Sequence, residues 1–299
     1  MYKIISDGSC DLSPEITKKL DVTVVPFYIS IDGVNYQKEL EEIPIRDFYQ
    51  FMVDNPKVFP KTSMPSIQDY LNVFTPLVEQ NIDIICICIT TKFSGSFNSA
   101  VNAKNILLDD YPDAKIEIID ATVNTVLHGM LVEEAVAKKN SGATLEETVA
   151  FINQIKESGR IFFTIGSMDY LIHGGRVGKL SGIAAGALGI KPLILLKDGE
   201  IFNNGITRGR KKSKNKVIEQ AISYLQEINA DINEYRFAVG FGYDEAEGEE
   251  FKNVFVNELK KAFPGFDDEV FVRQIGATIG VHTGPYPIGI GIIKRYAKK

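Results

Sequence analysis

The sequence predicts an α/β protein of two domains, an N-terminal doubly wound parallel sheet followed by a C-terminal α/β domain with a mixed or antiparallel sheet. Three observations point there. Short β-rich runs alternate with amphipathic stretches through the first half, and one run, residues 84–89 (Ile-Ile-Cys-Ile-Cys-Ile), is apolar on both faces. Near Arg160 the pattern changes to more frequent strands with a hairpin signal among them.

In order, strands are expected over residues 3–6, 22–31, 83–90 and 115–120. Helices are expected over 66–80, where Ile67, Tyr70, Leu71, Phe74, Leu77 and Val78 fall at helical spacing, and over 96–108, with Phe97, Ala100, Val101 and Leu107. Strand, helix, strand implies right-handed crossovers in a parallel sheet. Residues 123–140 and 144–157 follow as helices, the second opened by Thr144 and Glu147 at capping-box spacing. The second domain, residues 161–299 after a first of 1–160, contains strands at 160–165, 192–196, 199–203, 235–241, 269–274 and 288–294, with Asp198-Gly199 as a hairpin turn. Helices at 212–228 and 244–262 lie between them.

Composition restricts the function. With 44% hydrophobic and 24% charged residues the chain is globular, and a net charge of −6 argues against bulk attraction to nucleic acid or anionic membrane. No apolar run approaches the roughly 20 residues of a spanning helix. The opening Met1-Tyr2-Lys3-Ile4-Ile5-Ser6-Asp7 reads as a strand and an acid rather than a signal peptide, and three cysteines make no disulfide framework. A soluble, cytoplasmic chain is expected.

Several segments could carry chemistry. Ser66 and Asp69 can cap the helix at 66–80, which leaves Thr62 and Ser63 as adjacent loop hydroxyls with no structural duty. Ser94-Gly95-Ser96 follows the apolar strand and opens the next helix, where free N–H groups and the dipole favour an anion. An ordinary serine N-cap is the commoner fate of such a residue. Ser94 as the nucleophile of an acyl hydrolase or transferase is the enzymatic alternative, but the glycine two places before a nucleophile-elbow serine is missing. His282 lies in a glycine-punctuated loop at 275–285, beside Thr283, whereas His128 falls within a helix and His173 precedes Gly174-Gly175-Arg176. Histidine pairs at i, i+4, Cys-x-x-Cys, the dinucleotide fingerprint and the Walker phosphate loop are all absent, so no metal or nucleotide cofactor is expected. Cys86 and Cys88 read as small core hydrophobes. Residues 208–216 form a basic run without interleaved aromatics, a solvated helix start or a docking surface for an acidic partner. The small apolar residues 182–190 read as a tightly packed helix or the wall of a narrow tunnel.

Taken in order, Ser6-Asp7-Gly8-Ser9-Cys10-Asp11-Leu12, Thr62-Ser63-Met64-Pro65-Ser66, Ser94-Gly95-Ser96, Gly174-Gly175-Arg176, Lys191-Pro192-Leu193, Arg208-Gly209-Arg210-Lys211-Lys212 and His282-Thr283-Gly284-Pro285 resemble the DegV family of bacterial fatty-acid-binding proteins, from end to end. The resemblance implies one long-chain fatty acid, such as palmitate, stearate or oleate, between the two domains. Thr62, Ser63, Ser94, Gly95, Ser96, His282 and Thr283 are implied at its carboxylate. It further implies a non-catalytic carrier that presents the acid to a separate ATP-binding fatty acid kinase subunit, with Arg176 and Arg208 serving phosphoryl transfer or docking. A protonated His282 adds charge assistance, so binding is expected to weaken as pH rises through the imidazole's pKa. Met64 stands where the family usually has Gln, Gly178 where a serine commonly follows Gly-Gly-Arg-Val, and Tyr286-Pro287 where smaller residues often follow. Residues 121–130 also lack the family's usual serine- and glycine-rich pattern.

Overall fold

A computed structural model describes residues 1–180 and 189–296. Strands Val22–Val25, Tyr2–Asp7, Asp83–Cys88 and Ile116–Asp120 lie side by side in that order, all parallel. The third is buried from Ile84 to Cys88 because helices cover both its faces. Helices Ile67–Val78 and Ser96–Asp110 pack together on one side, on Ile5, Cys86 and Cys88. Ser66 and Asp69 close the first helix's start by a reciprocal capping box, and Thr144 with Glu147 does the same for Leu145–Lys156.

The second sheet is six-stranded, ordered Glu200–Arg208, Ile190–Lys197, Arg160–Thr164, Ile288–Lys294, Tyr235–Phe241 and Val270–Gln274. Every pairing is antiparallel except the last, so this sheet is mixed. Between the two sheets runs helix Thr125–Asn140, in contact with Tyr2–Asp7 on one side and with Tyr235–Phe241 and Ile288–Lys294 on the other. Apolar residues occur all round it from Val126 to Val136, as its position requires. Helices Arg210–Glu227 and Glu245–Ala262 cover the outer face of the mixed sheet through Val217, Leu225, Phe251 and Phe255.

Four local expectations are corrected. The run at 22–31 breaks at Pro26, which has no N–H for a ladder, and its second half joins a small antiparallel sheet ordered Gln37–Lys38, Tyr28–Ser30, Lys61–Ser63. Thr62 and Ser63 are therefore strand residues. The glycine-punctuated segment contains a two-turn helix, Ala277–Thr283, because Gly280 lets the rings of Phe48 and Tyr49 press against its backbone. The hairpin strand extends to Arg208. Helices Pro14–Leu20, capped by Ser13, and Ile45–Asp54 come in addition. The stretch 182–190 lies, except for Gly189 and Ile190, outside the described residues.

Candidate ligand-binding site between the two sheets

A cavity of about 1060 Å³, counting its open mouth, lies between the sheets. Ile161, Phe163, Leu196, Ile201 and Ile288 of the mixed sheet form one wall, and Phe27, Ile89, Phe93 and Val126 face them. Most of the lining is apolar; Thr62, His282 and Arg176 come together in it, with Ser94 and Gly95 following the Phe93 that Arg176 holds, and Asn124, Thr125, Thr278 and Thr283 are its other polar residues. Small-molecule sites are usually of this kind, apolar with a few convergent polar groups.

The small sheet aims Thr62. Side chains on a strand alternate, so Thr62 faces the cavity and Ser63 faces solvent, where it is exposed and does not line the site. The Thr62 hydroxyl meets His282 Nε2 at 3.2 Å, across 220 residues of sequence. Nδ1 of the same ring is buried with no partner among the described residues. An orphaned N–H is costlier than an orphaned lone pair, so the proton belongs on Nε2. The ring donates to Thr62, whose own hydroxyl hydrogen is then free for the cavity. Burial, and then the Arg176 charge, pull the His282 pKa down to about 4. The imidazole is neutral at pH 7, which moves the expected loss of charge assistance to the acid side of neutrality.

Ser94 ends the loop before helix Ser96–Asp110. Its hydroxyl accepts the Ser96 N–H at 3.2 Å and can donate into the cavity. Gly95, which lines the cavity, is the N-cap and gives that helix no side-chain cap, so its first turn keeps N–H groups available to an anion. Ser96 plays a different part from the one expected. Its hydroxyl is fully buried, donating to Asp7 Oδ2 at 2.7 Å and meeting the Tyr70 hydroxyl at 2.6 Å. Thr283 lines the cavity, but its hydroxyl is spent on the Ile279 carbonyl at 3.1 Å. Arg176 lines the cavity, anchored on the carbonyls of Phe93 at 3.2 Å and Gly174 at 2.7 Å. Arg208 is exposed at the end of its strand and does not line the cavity.

Sequence reasoning missed Asn124, Thr125, Thr278 and Gly174. The first three line the cavity, and the Thr125 hydroxyl donates to buried Asp11. Thr125 also holds φ 51°, an uncommon conformation for a β-branched residue. A β-carbon on Gly174 would lie 2.9 Å from His282 Cε1, so this glycine makes room for the ring. The Gly-Gly pair was visible, but not the partner 108 positions away that requires it. His128 is a buried structural group between the Ser6 and Ser9 hydroxyls.

A profile of the DegV family, described as uncharacterised, matches residues 1–295. The chain belongs to the DegV family. Among DegV relatives, a domain-containing protein of Caldanaerobacter subterraneus is 31% identical, the alignment covering 96% of each chain. A stearic-acid-binding protein from Eubacterium ventriosum superposes with a TM-score of 0.91 at 46% identity over 99% of each chain. A DegV lipid-binding protein from Thermotoga maritima gives 0.83 at 25% identity over 100% of each. The DegV fold here thus matches proteins crystallised as lipid binders.

Proposed function

We propose that this chain, like the stearic-acid-binding relative, binds one long-chain fatty acid, and that it does so in the cavity between its sheets. We also propose that it presents the carboxylate to a separate ATP-binding kinase subunit for conversion to the acyl phosphate. The observation that carries the reading is a mainly apolar cavity in which Thr62, His282 and Arg176 converge. Burying about 14 methylenes at roughly 0.8 kcal/mol each yields on the order of 11 kcal/mol before ordering costs, enough to hold the chain. Thr62, Ser94 and the helix start at Gly95 supply neutral donors, and Arg176 supplies charge, to a carboxylate that must be paired once it leaves water.

In this reading the protein contributes no catalytic group. Arg176 meets the added charge of an acyl phosphate and Arg208 contacts the kinase, a division suggested by one lining the cavity and the other lying outside it. The hydrolase reading is disfavoured by the hydrogen bonds, since His282 Nε2 meets Thr62 and the Ser94 hydroxyl meets the Ser96 N–H. Organic extraction and mass spectrometry of the purified protein should release a fatty acid of about 14 to 18 carbons. Protein that carries none and also fails to bind added palmitate or oleate overturns the proposal.

A further inference from the structure

Beside the cavity lies a second cluster of hydrogen bonds. Helix Ala277–Thr283 starts at Gly276, where a β-carbon would come within 2.5 Å of Asp11 Oδ1 and 2.7 Å of Glu39 Oε1. Glu39 is only 2% exposed. Its Oε1 accepts the Thr278 N–H at 3.0 Å and its Oε2 accepts the Thr278 hydroxyl, joining segments 239 residues apart. Glu39 is itself fixed, its N–H donating to the Phe27 carbonyl at 2.9 Å and its backbone bridged to Ile43. Thr278 lines the cavity, and His282 follows one turn later on the same helix.

We propose that Glu39 is a positioning residue for the headgroup site, clamping the start of the helix that carries His282 so that the ring meets Thr62. A seven-residue helix has too few internal hydrogen bonds to hold itself, so its placement depends on what grips its ends. At its start the grip is a buried carboxylate on orphan donors, among the stronger hydrogen bonds a protein makes. At its other end Nε2 meets Thr62, on the same small sheet whose strand Gln37–Lys38 leads into Glu39. A shift at Thr278 therefore reaches His282 within four residues.

The clamp is sensitive to protonation. Asp7 at the end of the first strand, Asp11 just after the turn Gly8–Cys10, Tyr49 from helix Ile45–Asp54 and Arg273 from strand Val270–Gln274 surround Glu39. Burial, opposed by the Thr278 and Ala277 hydrogen bonds and reinforced by Asp7, pushes its pKa up to about 6. A proton on Oε2 forces the Thr278 hydroxyl to turn from donor to acceptor, and the charge assistance of both bonds is lost.

The chain has three histidines, so the His282 ring signal can be assigned by its disappearance in His282→Gln and followed by NMR against pH. In the wild type it should show a step near pH 6, distinct from its own titration at about 4. The step should persist in His173→Gln, which leaves the Glu39–Thr278 hydrogen bonds intact, and vanish in Glu39→Gln. Palmitate should leave Glu39→Gln about tenfold faster at neutral pH, the scale of one lost charge-assisted hydrogen bond. No step, a step abolished by His173→Gln, or a step surviving in Glu39→Gln overturns the clamp. If Glu39→Gln does not melt cooperatively, the wild type and His173→Gln decide. The effect on release rests on the fatty-acid reading, whereas the ring signal does not. Wild-type protein that binds no palmitate but shows the step refutes only the ligand.

Discussion

Replacing Gly174 by alanine should displace His282 without altering any group that bonds to it. Gly174 has φ −76° and ψ −9°, which any L residue adopts, so alanine brings no backbone strain. It should even gain about 0.4–1 kcal/mol by restricting the unfolded chain. Its methyl group, however, would lie 2.9 Å from His282 Cε1 and nearer still to Nδ1, with the Tyr170 carbonyl oxygen at 3.0 Å. Overpacking of this kind costs roughly 1–3 kcal/mol, so the net destabilisation should be about 1–2 kcal/mol. The ring can relieve the clash only by leaving Thr62, and a neutral hydrogen bond of about 0.5–1.5 kcal/mol then ceases to support the headgroup. Fatty acid affinity should fall roughly two- to twelvefold, measured by displacement of a fluorescent acyl probe. Gly175→Ala is the matched control. Its φ is +67° and a β-carbon there meets nothing within 4 Å, so it should lose about 1–2 kcal/mol of stability to backbone strain and keep its affinity. Unchanged affinity in Gly174→Ala, or an equal loss in Gly175→Ala, refutes the placement of His282 at the headgroup.

Thr62→Val keeps shape but removes the hydroxyl between His282 and the cavity, and should weaken palmitate binding about tenfold in a titration. Ser94→Ala should weaken binding, while wild type and variant alike leave a chromogenic acyl ester uncleaved; turnover abolished by the substitution would restore the hydrolase reading. Arg208→Ala should leave affinity within a factor of about two and slow kinase-dependent phosphorylation, since Arg208 lies outside the cavity. Acid should reveal two opposed titrations in melting experiments on the free protein. His282, held at about 4 against 6.5 unfolded, leaves the unfolded chain to take the proton first, so its contribution is complete above pH 6.5 and is lost as pH falls toward 4. At full effect this is about 3 kcal/mol, and His282→Gln should flatten the slope. Glu39, raised from 4.5 to about 6, lets the folded state take the proton first, so stability rises as pH falls from 6 to 4.5 and Glu39→Gln should steepen the acid loss.

The sheets were legible because period and burial agree in them. Residues 84–89 are apolar on both faces and become the covered centre of a parallel sheet, and Thr144 with Glu147 closes a helix start as its spacing requires. The placement of the segments expected at a headgroup was half legible. Thr62 and Ser94 face the cavity, but nothing in Thr62-Ser63 says that a three-residue strand will send the second hydroxyl to solvent. That depends on Tyr28–Ser30, which leaves the parallel sheet only because Pro26 interrupts it. The helix carrying His282 was hidden for a related reason. Glycine disfavours helix by about 1 kcal/mol, and Gly280 is tolerated only because Phe48 and Tyr49 occupy the space a side chain would need. Glu39 gave no signal at all. In Lys38-Glu39-Leu40-Glu41-Glu42 it reads as one more solvated charge, and its burial depends on a partner 239 positions away.

On the proposed function, the neutral state of His282 bears on how one site would serve both a carboxylate and an acyl phosphate. A protonated imidazole would bind the first through its charge and would have to be neutralised, or hold the product too tightly, when the second charge arrived. At a pKa of about 4 the ring instead acts as a fixed donor, orienting Thr62 whatever the charge beside it. The variable charge is then left to Arg176, which is exposed and, among the described residues, holds the backbone carbonyls of Phe93 and Gly174. Arg176 is also what helps keep the ring neutral, because its charge joins burial in lowering the imidazole's pKa. On that proposal affinity resides in the apolar cavity, position in the histidine and threonine, and response to phosphorylation in Arg176.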